Sequence, residues 1–336
     1  MAFVYIDVLL FLGSLVVLLK ASDVFTSATA RIGLAFGVSP FIIGATVVAG
    51  GTSLPELVSS MLAVVRDAPS IVVGNAVGSN IANIFVILGV AAIVGERIRI
   101  ERELIRVDLP VLVASAVFLL VAIWNSPFVW YEGLLAIVLL AVYVHFTLAR
   151  PARFDETVEE LVEEHSTEEV DVASLANTEL GQATAETRVG FRTYGVLFIS
   201  LVLVFLAADG VVRSIIAIAG TLDIGPEIVA ITAVGLGTSL PEIAVSITAV
   251  RRGEPEIAVG NVLGSNVFNS LAVVGIPSLF SPLVIPASVR EYALPVLVAA
   301  TVLYYFITQD REITRWEGAV LVVLYGVFLL NLVELV

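Results

Sequence analysis

The hexapeptide Gly51-Thr52-Ser53-Leu54-Pro55-Glu56 returns letter for letter as Gly237-Thr238-Ser239-Leu240-Pro241-Glu242. A second block, Gly74-Asn75-x-x-Gly78-Ser79-Asn80, returns as Gly260-Asn261-x-x-Gly264-Ser265-Asn266. Both blocks are displaced by 186 residues, and about half of positions 51–89 match their partners. The chain is therefore an internal duplication without insertions between its repeated blocks. Its most faithfully repeated residues are polar ones in apolar surroundings, which points to an ion pathway.

Composition supplies the setting. Hydrophobic residues make up 59% of the chain, charged residues 14%, and the mean hydropathy is +1.03. A soluble domain is about 45–50% apolar and about 25% charged. Apolar runs such as 111–123 and 321–332 suit helices that cross a hydrocarbon core about 30 Å thick. The chain is thus expected to be an all-α polytopic membrane protein. The start, Met-Ala-Phe-Val-Tyr-Ile-Asp, lacks the basic segment of a signal peptide, so the first apolar stretch is expected to stay as a helix.

Hydropathy and breaker residues predict ten transmembrane helices, five per repeat, near 4–33, 38–65, 70–94, 105–124 and 128–149, then 193–219, 226–250, 256–280, 289–308 and 315–335. Five helices per repeat invert the second relative to the first. The chain divides into a first five-helix repeat (1–150), an acidic loop (151–190) and a second, inverted repeat (191–336). Between 154 and 187 there are eleven acidic residues and no basic one. That segment reads as a solvated spacer, with a regulatory cation site as the alternative. Thirteen arginines fall on the side of this loop and three, Arg66, Arg213 and Arg290, on the side of the termini. The positive-inside rule then puts the loop in the cytoplasm and both termini outside a cell membrane.

Cysteine is absent and the two histidines, His145 and His165, are isolated, so thiolate or histidine metal sites are not expected. The chemistry must come from oxygen. Pro55 has no N–H and strips the carbonyl of Gly51 of its helical partner, as Pro241 does for Gly237. In lipid such a carbonyl is tolerated only where protein, water or an ion satisfies it. Thr52, Ser53 and Glu56 share one helix face, as do Thr238, Ser239 and Glu242. Ala49, seven residues before Glu56, lies on the same face and offers a further carbonyl. The second block and its extension add Asn75, Ser79 and Asn83, with partners Asn261, Ser265 and Asn269. Carboxylates, hydroxyls and carbonyls without nitrogen or sulfur donors fit a hard cation such as Ca²⁺ or Na⁺, not zinc or copper.

Simpler roles compete at several of these positions. Gly74 and Gly78 read as close helix packing. Thr52 and Ser53 can bond back to their own helix. Asp23 and Asp209, also repeat partners, can cap or pair with arginine. A carboxylate within a membrane helix costs several kcal/mol, so Glu56 and Glu242 are read as functional. An intramembrane aspartyl protease built on Asp23 and Asp209 is set aside, because Leu206-Ala207-Ala208 replaces the Gly-x-Gly that such enzymes carry. A passive channel is set aside because helix breaks in both inverted halves favour alternating access.

At these residues the chain resembles the sodium/calcium exchangers of the cation/Ca²⁺ antiporter superfamily, prokaryotic type. The resemblance covers about residues 20–94 and 206–280 and the ten-helix layout. It implies Ca²⁺/Na⁺ antiport through a mid-membrane cluster of sites. Glu56 and Glu242 would ligate the central ion. Thr52, Ser53, Thr238, Ser239, Ser79 and Ser265 would complete the flanking Na⁺ sites, with Asn83 and Asn269 nearby. The carbonyls of Ala49 and Gly235 match backbone ligands of the family, and the first and sixth helices would slide across the rest. The ions are cargo: no cofactor, enzymatic activity, nucleic acid or obligatory protein partner is expected, and the lipid bilayer is the surroundings. One position departs, since the family commonly has aspartate where Asn269 stands. Two formal charges in place of three imply exchange closer to electroneutral. Two glutamates in one low-dielectric cavity also keep protons in play, and Ca²⁺/H⁺ antiport is the alternative.

Overall fold

The computed structural model of the 336-residue chain describes residues 2–35, 49–99, 108–148, 191–251, 253 and 255–334. The expected start of the second helix at 38, that of the fourth at 105, and the loop 151–190 lie outside the described residues. Ten spans are seen. The first repeat holds α1 (Ala2–Ala35), α2 (Ala49–Thr52 and Leu54–Val65), α3 (Ser70–Ala82, Asn83–Leu88 and Gly89–Gly95), α4 (Leu109–Trp124) and α5 (Trp130–Leu148). The second holds α6 (Phe191–Leu222), α7 (Pro226–Val229, Ala230–Val234, Gly235–Thr238 and Leu240–Arg251) and α8 (Pro255–Phe268, Asn269–Val273 and Val274–Ser278). It closes with α9 (Ser288–Ala293 and Leu294–Ile307) and α10 (Arg315–Glu334). Eight spans are long and apolar enough to cross a membrane, while the described parts Leu54–Val65 and Leu109–Trp124 are shorter.

The apolar character of each helix sorts it by place. The most apolar 18-residue window of Ser70–Gly95 is 78% buried, whereas that of Trp130–Thr147 is 11% buried. So α3 forms the centre and α5 the lipid-facing rim. The outer faces of α1 and α6 carry exposed Leu9, Leu12, Val16, Phe198, Ile199 and Leu206, which hydrocarbon solvates without cost. Exposed Trp124, Trp130 and Trp316 sit at helix ends, where indole rings anchor at the headgroup level. The long helices α1 and α6 pack against each other, with Gly210 seated on Ser14.

The inversion is visible in backbone pairing. Strand β1 (Arg97–Arg99) pairs antiparallel with β2 (Glu312–Thr314), and Arg97 faces Thr314. A separate antiparallel bridge joins Phe128 and Leu283, through N–H···O bonds of 2.9 and 2.8 Å. Adding 186 to Arg97 and Phe128 gives Leu283 and Thr314, so each bridge is the image of the other with the repeats exchanged. The helical irregularities repeat too. Both α3 and α8 widen into a π-helical turn that begins at Asn83 and at its partner Asn269. Such turns leave an i−4 carbonyl short of a partner and cluster at functional sites.

Gly74 and Gly78 act in packing, as the simpler reading had it, while their repeat partners Gly260 and Gly264 meet nothing within 4 Å. A Cβ on Gly78 would stand 2.6 Å from Ile231 Cα, and one on Gly74 2.8 Å from the carbonyl oxygen of Glu227. Backbone of α3 therefore lies directly on backbone of α7. Gly78→Ala is expected to lower stability by about 1–3 kcal/mol, the usual cost of overpacking where only backbone can yield. Gly13→Ala, with nothing within 4 Å of the new methyl, is expected to leave stability unchanged. Fluorescence-detected thermal unfolding in detergent checks the contrast. Equal melting temperatures for the two variants would remove the packing role.

Candidate cation site

The two hexapeptides interrupt their helices at the same letter. The helical backbone breaks at Ser53 (φ −91, ψ 12) and at Ser239 (φ −82, ψ 8), and each following helix starts with leucine and proline. With Pro241 unable to donate to the Gly237 carbonyl, the N–H of Ser239 closes onto it instead. The break brings side chains of each hexapeptide to the opposite repeat.

Those side chains interlock across the pseudo-two-fold. Ser53 Oγ donates to Glu242 Oε1 at 3.2 Å, and Ser239 Oγ donates to Glu56 Oε1 at 3.4 Å. Each hexapeptide's serine thus holds the other hexapeptide's glutamate. Both carboxylates and both serines are fully buried. Ser265 Oγ adds a third contact, to Glu242 Oε1 at 3.4 Å. Its repeat partner Ser79 instead donates to the carbonyl of Gly235 at 3.3 Å. Thr238 donates to the carbonyl of Val234 at 2.9 Å, the back-bonding alternative, which leaves its lone pairs as acceptors. Thr52 and Ala49 lie in the short helical turn before the break.

The asparagines hold the frame. Asn75 Nδ2 donates to the carbonyl of Glu56 at 3.1 Å and to Ser60 Oγ at 3.2 Å. Asn261 repeats this on Glu242 and Ser246 at 3.1 and 3.0 Å. Each glutamate's backbone is thereby fixed by the following helix of its own repeat. Asn80 Nδ2 bonds the carbonyl of Asn266 and Ser270 Oγ, at 3.2 and 2.8 Å, and Asn83 Nδ2 bonds Asn266 Oδ1 at 3.0 Å. The sequence reading left Asn80 and Asn266 out of the site, although both close the repeated Gly-Asn-x-x-Gly-Ser-Asn block. It also missed Ser60 and Ser246, whose one signal was identity at the 186 offset.

What the bonds leave over is informative. Among the described residues, Glu56 Oε2, Glu242 Oε2, Asn83 Oδ1 and both polar atoms of Asn269 are buried without a hydrogen-bond partner. Buried polar atoms are nearly always paired, so a cluster of unpaired oxygens calls for an explanation. A desolvated carboxylate is too costly to leave uncompensated, and either a cation or a proton can supply the compensation. No group of three or more His, Cys, Asp or Glu able to hold a metal occurs among the described residues. Any cation here would meet two carboxylates and otherwise neutral oxygens, the donor set of a hard, weakly held ion.

Inverted five-helix repeats, a helix break within the second span of each, and buried carboxylates beside those breaks define an inverted-repeat membrane transporter. The chain belongs to the sodium/calcium exchanger family. The family described as sodium/calcium exchanger protein matches residues 6–149 and 192–333. Sodium/calcium exchanger MaX1 of Methanosarcina acetivorans is 33% identical, over 97% of this chain and 98% of its own length. Inner membrane protein YrbG of Escherichia coli is 33% identical over 87% of this chain and 85% of its own. A solved structure of the sodium-calcium exchanger NCX_Mj, soaked with Na⁺ and Sr²⁺, superposes with a TM-score of 0.62. It is 31% identical, with 96% of this chain and 97% of that one covered.

Proposed function

We propose that this protein exports Ca²⁺ in exchange for Na⁺ by alternating access, with the ions held between the repeats by Glu56 and Glu242. The observation that carries this reading is the reciprocal serine–glutamate pair, buried and with one oxygen of each carboxylate unpartnered. Two carboxylates balance one Ca²⁺ or two Na⁺. The hydroxyls of Thr52, Ser53, Thr238, Ser239, Ser79 and Ser265, the carbonyls of Ala49 and Gly235, and the amides of Asn83 and Asn269 complete the oxygen shell. Family membership and the likeness to a structure soaked with Na⁺ and Sr²⁺ support the ion classes.

In this reading residues 1–150 and 191–336 are the two inverted five-helix repeats. The acidic segment 151–190 joins them in the cytoplasm, and both termini lie outside the cell membrane. Movement of α1 and α6 along the remaining helices would open the site to one side and then the other.

Hydroxyl-rich flanks favour Na⁺ over H⁺ as counter-ion, because a proton needs no neutral oxygen shell. Ca²⁺ flux in proteoliposomes tests this. An outward Na⁺ gradient at equal pH on both sides is expected to drive Ca²⁺ uptake. Uphill Ca²⁺ movement driven by a pH gradient without Na⁺ would instead establish Ca²⁺/H⁺ antiport on the same glutamates.

A further inference from the structure

Away from the candidate site, one charged cluster joins the helix of Glu56 to the long helix α6. Arg66, the residue that ends α2, donates from Nε to Asp209 Oδ1 at 2.7 Å, and its Nη2 lies 2.6 Å from the same oxygen. Arg213, one turn further along α6, places Nε 2.8 Å from Asp209 Oδ2. Both oxygens of Asp209 are thus engaged, one by each arginine. Arg66 sets two nitrogens of its planar fork on one oxygen and Arg213 sets one on the other, which makes the cluster directional. Arg66 lies ten residues beyond Glu56, about 15 Å along the helix, too far to touch the ion.

The cluster is one-sided. Under the 186-residue offset its counterparts are Asp23, Arg252 and Ser27. Asp23 is exposed and makes no ion pair among the described residues, and Ser27 carries no charge. Arg252 lies outside the described residues. An inverted duplication tends to give both access states equivalent contacts, so a bridge with one arm lacking in the other repeat weights one state.

We propose that Asp209 is a positioning residue of the transport cycle, which through Arg66 and Arg213 clamps α6 to the end of α2 in one access state. The inference rests on the alternating-access reading above. Hydrogen bonds at these distances do not survive a shift of α6 by one residue's rise, so the clamp must open before α6 can slide. Side-chain exposures of 39% for Arg66, 22% for Asp209 and 63% for Arg213 put it within reach of water. Water can take over the released charges, which keeps the clamp reversible and its weight modest.

The absence of native cysteine permits a direct test. Spin labels on Leu222→Cys, at the end of α6, and Phe280→Cys, just beyond α8, report the distance between the moving and static parts; both positions are exposed. The parent is expected to show one dominant distance. Asp209→Asn is expected to raise a second distance about fivefold, the population change that roughly 1 kcal/mol produces. Asp209→Glu, which keeps the charge, is expected to restore the parent's distribution, and Arg213→Gln to fall between. A parent-like distribution in Asp209→Asn, even with a lowered melting temperature, would overturn the proposal and leave a purely structural pair. If Asp209→Asn fails to insert, Arg66→Gln carries the test with the same two outcomes, since it leaves Asp209 paired with Arg213. The distances are read without ion gradients, so a failure of Na⁺-driven Ca²⁺ flux does not decide them.

Discussion

Glu242→Gln, and equally Glu56→Gln, is expected to lower Ca²⁺ flux into proteoliposomes by about a hundredfold or more. Loss of a residue that only supports a metal ligand already costs roughly 10–100-fold, and these glutamates are proposed as the charged ligands themselves. Glutamine keeps the volume and one carbonyl oxygen, so the hydroxyls of Ser53 and Ser239 still find an acceptor. The change therefore isolates charge. With one carboxylate left, a divalent ion in a buried site stays half neutralised, and the cost of stripping its water is no longer met. The measurement is ⁴⁵Ca²⁺ uptake under an outward Na⁺ gradient, with thermal unfolding as a check on folding. Flux near the parent's level removes that glutamate from the site.

The second large effect belongs to Asn269. It begins the π-helical turn of α8, is fully buried, and has neither of its polar atoms paired among the described residues. Its repeat partner Asn83 does find one, Asn266 Oδ1. With two carboxylates the proposed site is neutral with Ca²⁺ and neutral with two Na⁺, so the parent's exchange is expected to be nearly indifferent to membrane potential. Asn269→Asp adds a third carboxylate, which a third Na⁺ is expected to balance, and exchange of three Na⁺ for one Ca²⁺ moves one net charge per cycle. One charge moved through 100 mV is worth about 2.3 kcal/mol, or roughly 50-fold in the Ca²⁺ gradient that can be held. Uptake measured with the potential clamped by K⁺ and valinomycin separates the cases. A parent that already responds to potential, or a variant that responds no more than the parent, sinks the charge argument.

Much of this was legible in the sequence for a physical reason. In hydrocarbon every backbone polar group must be satisfied within its own helix, so apolar runs of sufficient length become helices with little freedom to do otherwise. Predicted spans such as 70–94, 226–250 and 315–335 accordingly fall within a residue or so of α3, α7 and α10. The duplicated hexapeptide also announced its own break, because proline removes a donor wherever it stands in a helix. The odd spacing of a π-helical turn had no such signal. Asn83 and Asn269 stood out as candidate ligands but not as the start of such a turn, and Ser60 and Ser246 looked like any polar helix residue.

Sequence by itself determined the helices, their inversion and the kind of donor available, since these follow from hydropathy, parity and side-chain chemistry within one stretch of chain. Tertiary structure alone decided which groups meet. That each serine would serve the opposite repeat's glutamate is a contact between the halves, and that Ser79 would turn to Gly235 while Ser265 turned to Glu242 is a departure between two copies of one block. The shared letters Gly-Ser-Asn cannot encode that difference. The difference arises from what each copy packs against, and that is fixed only when the two halves close on each other.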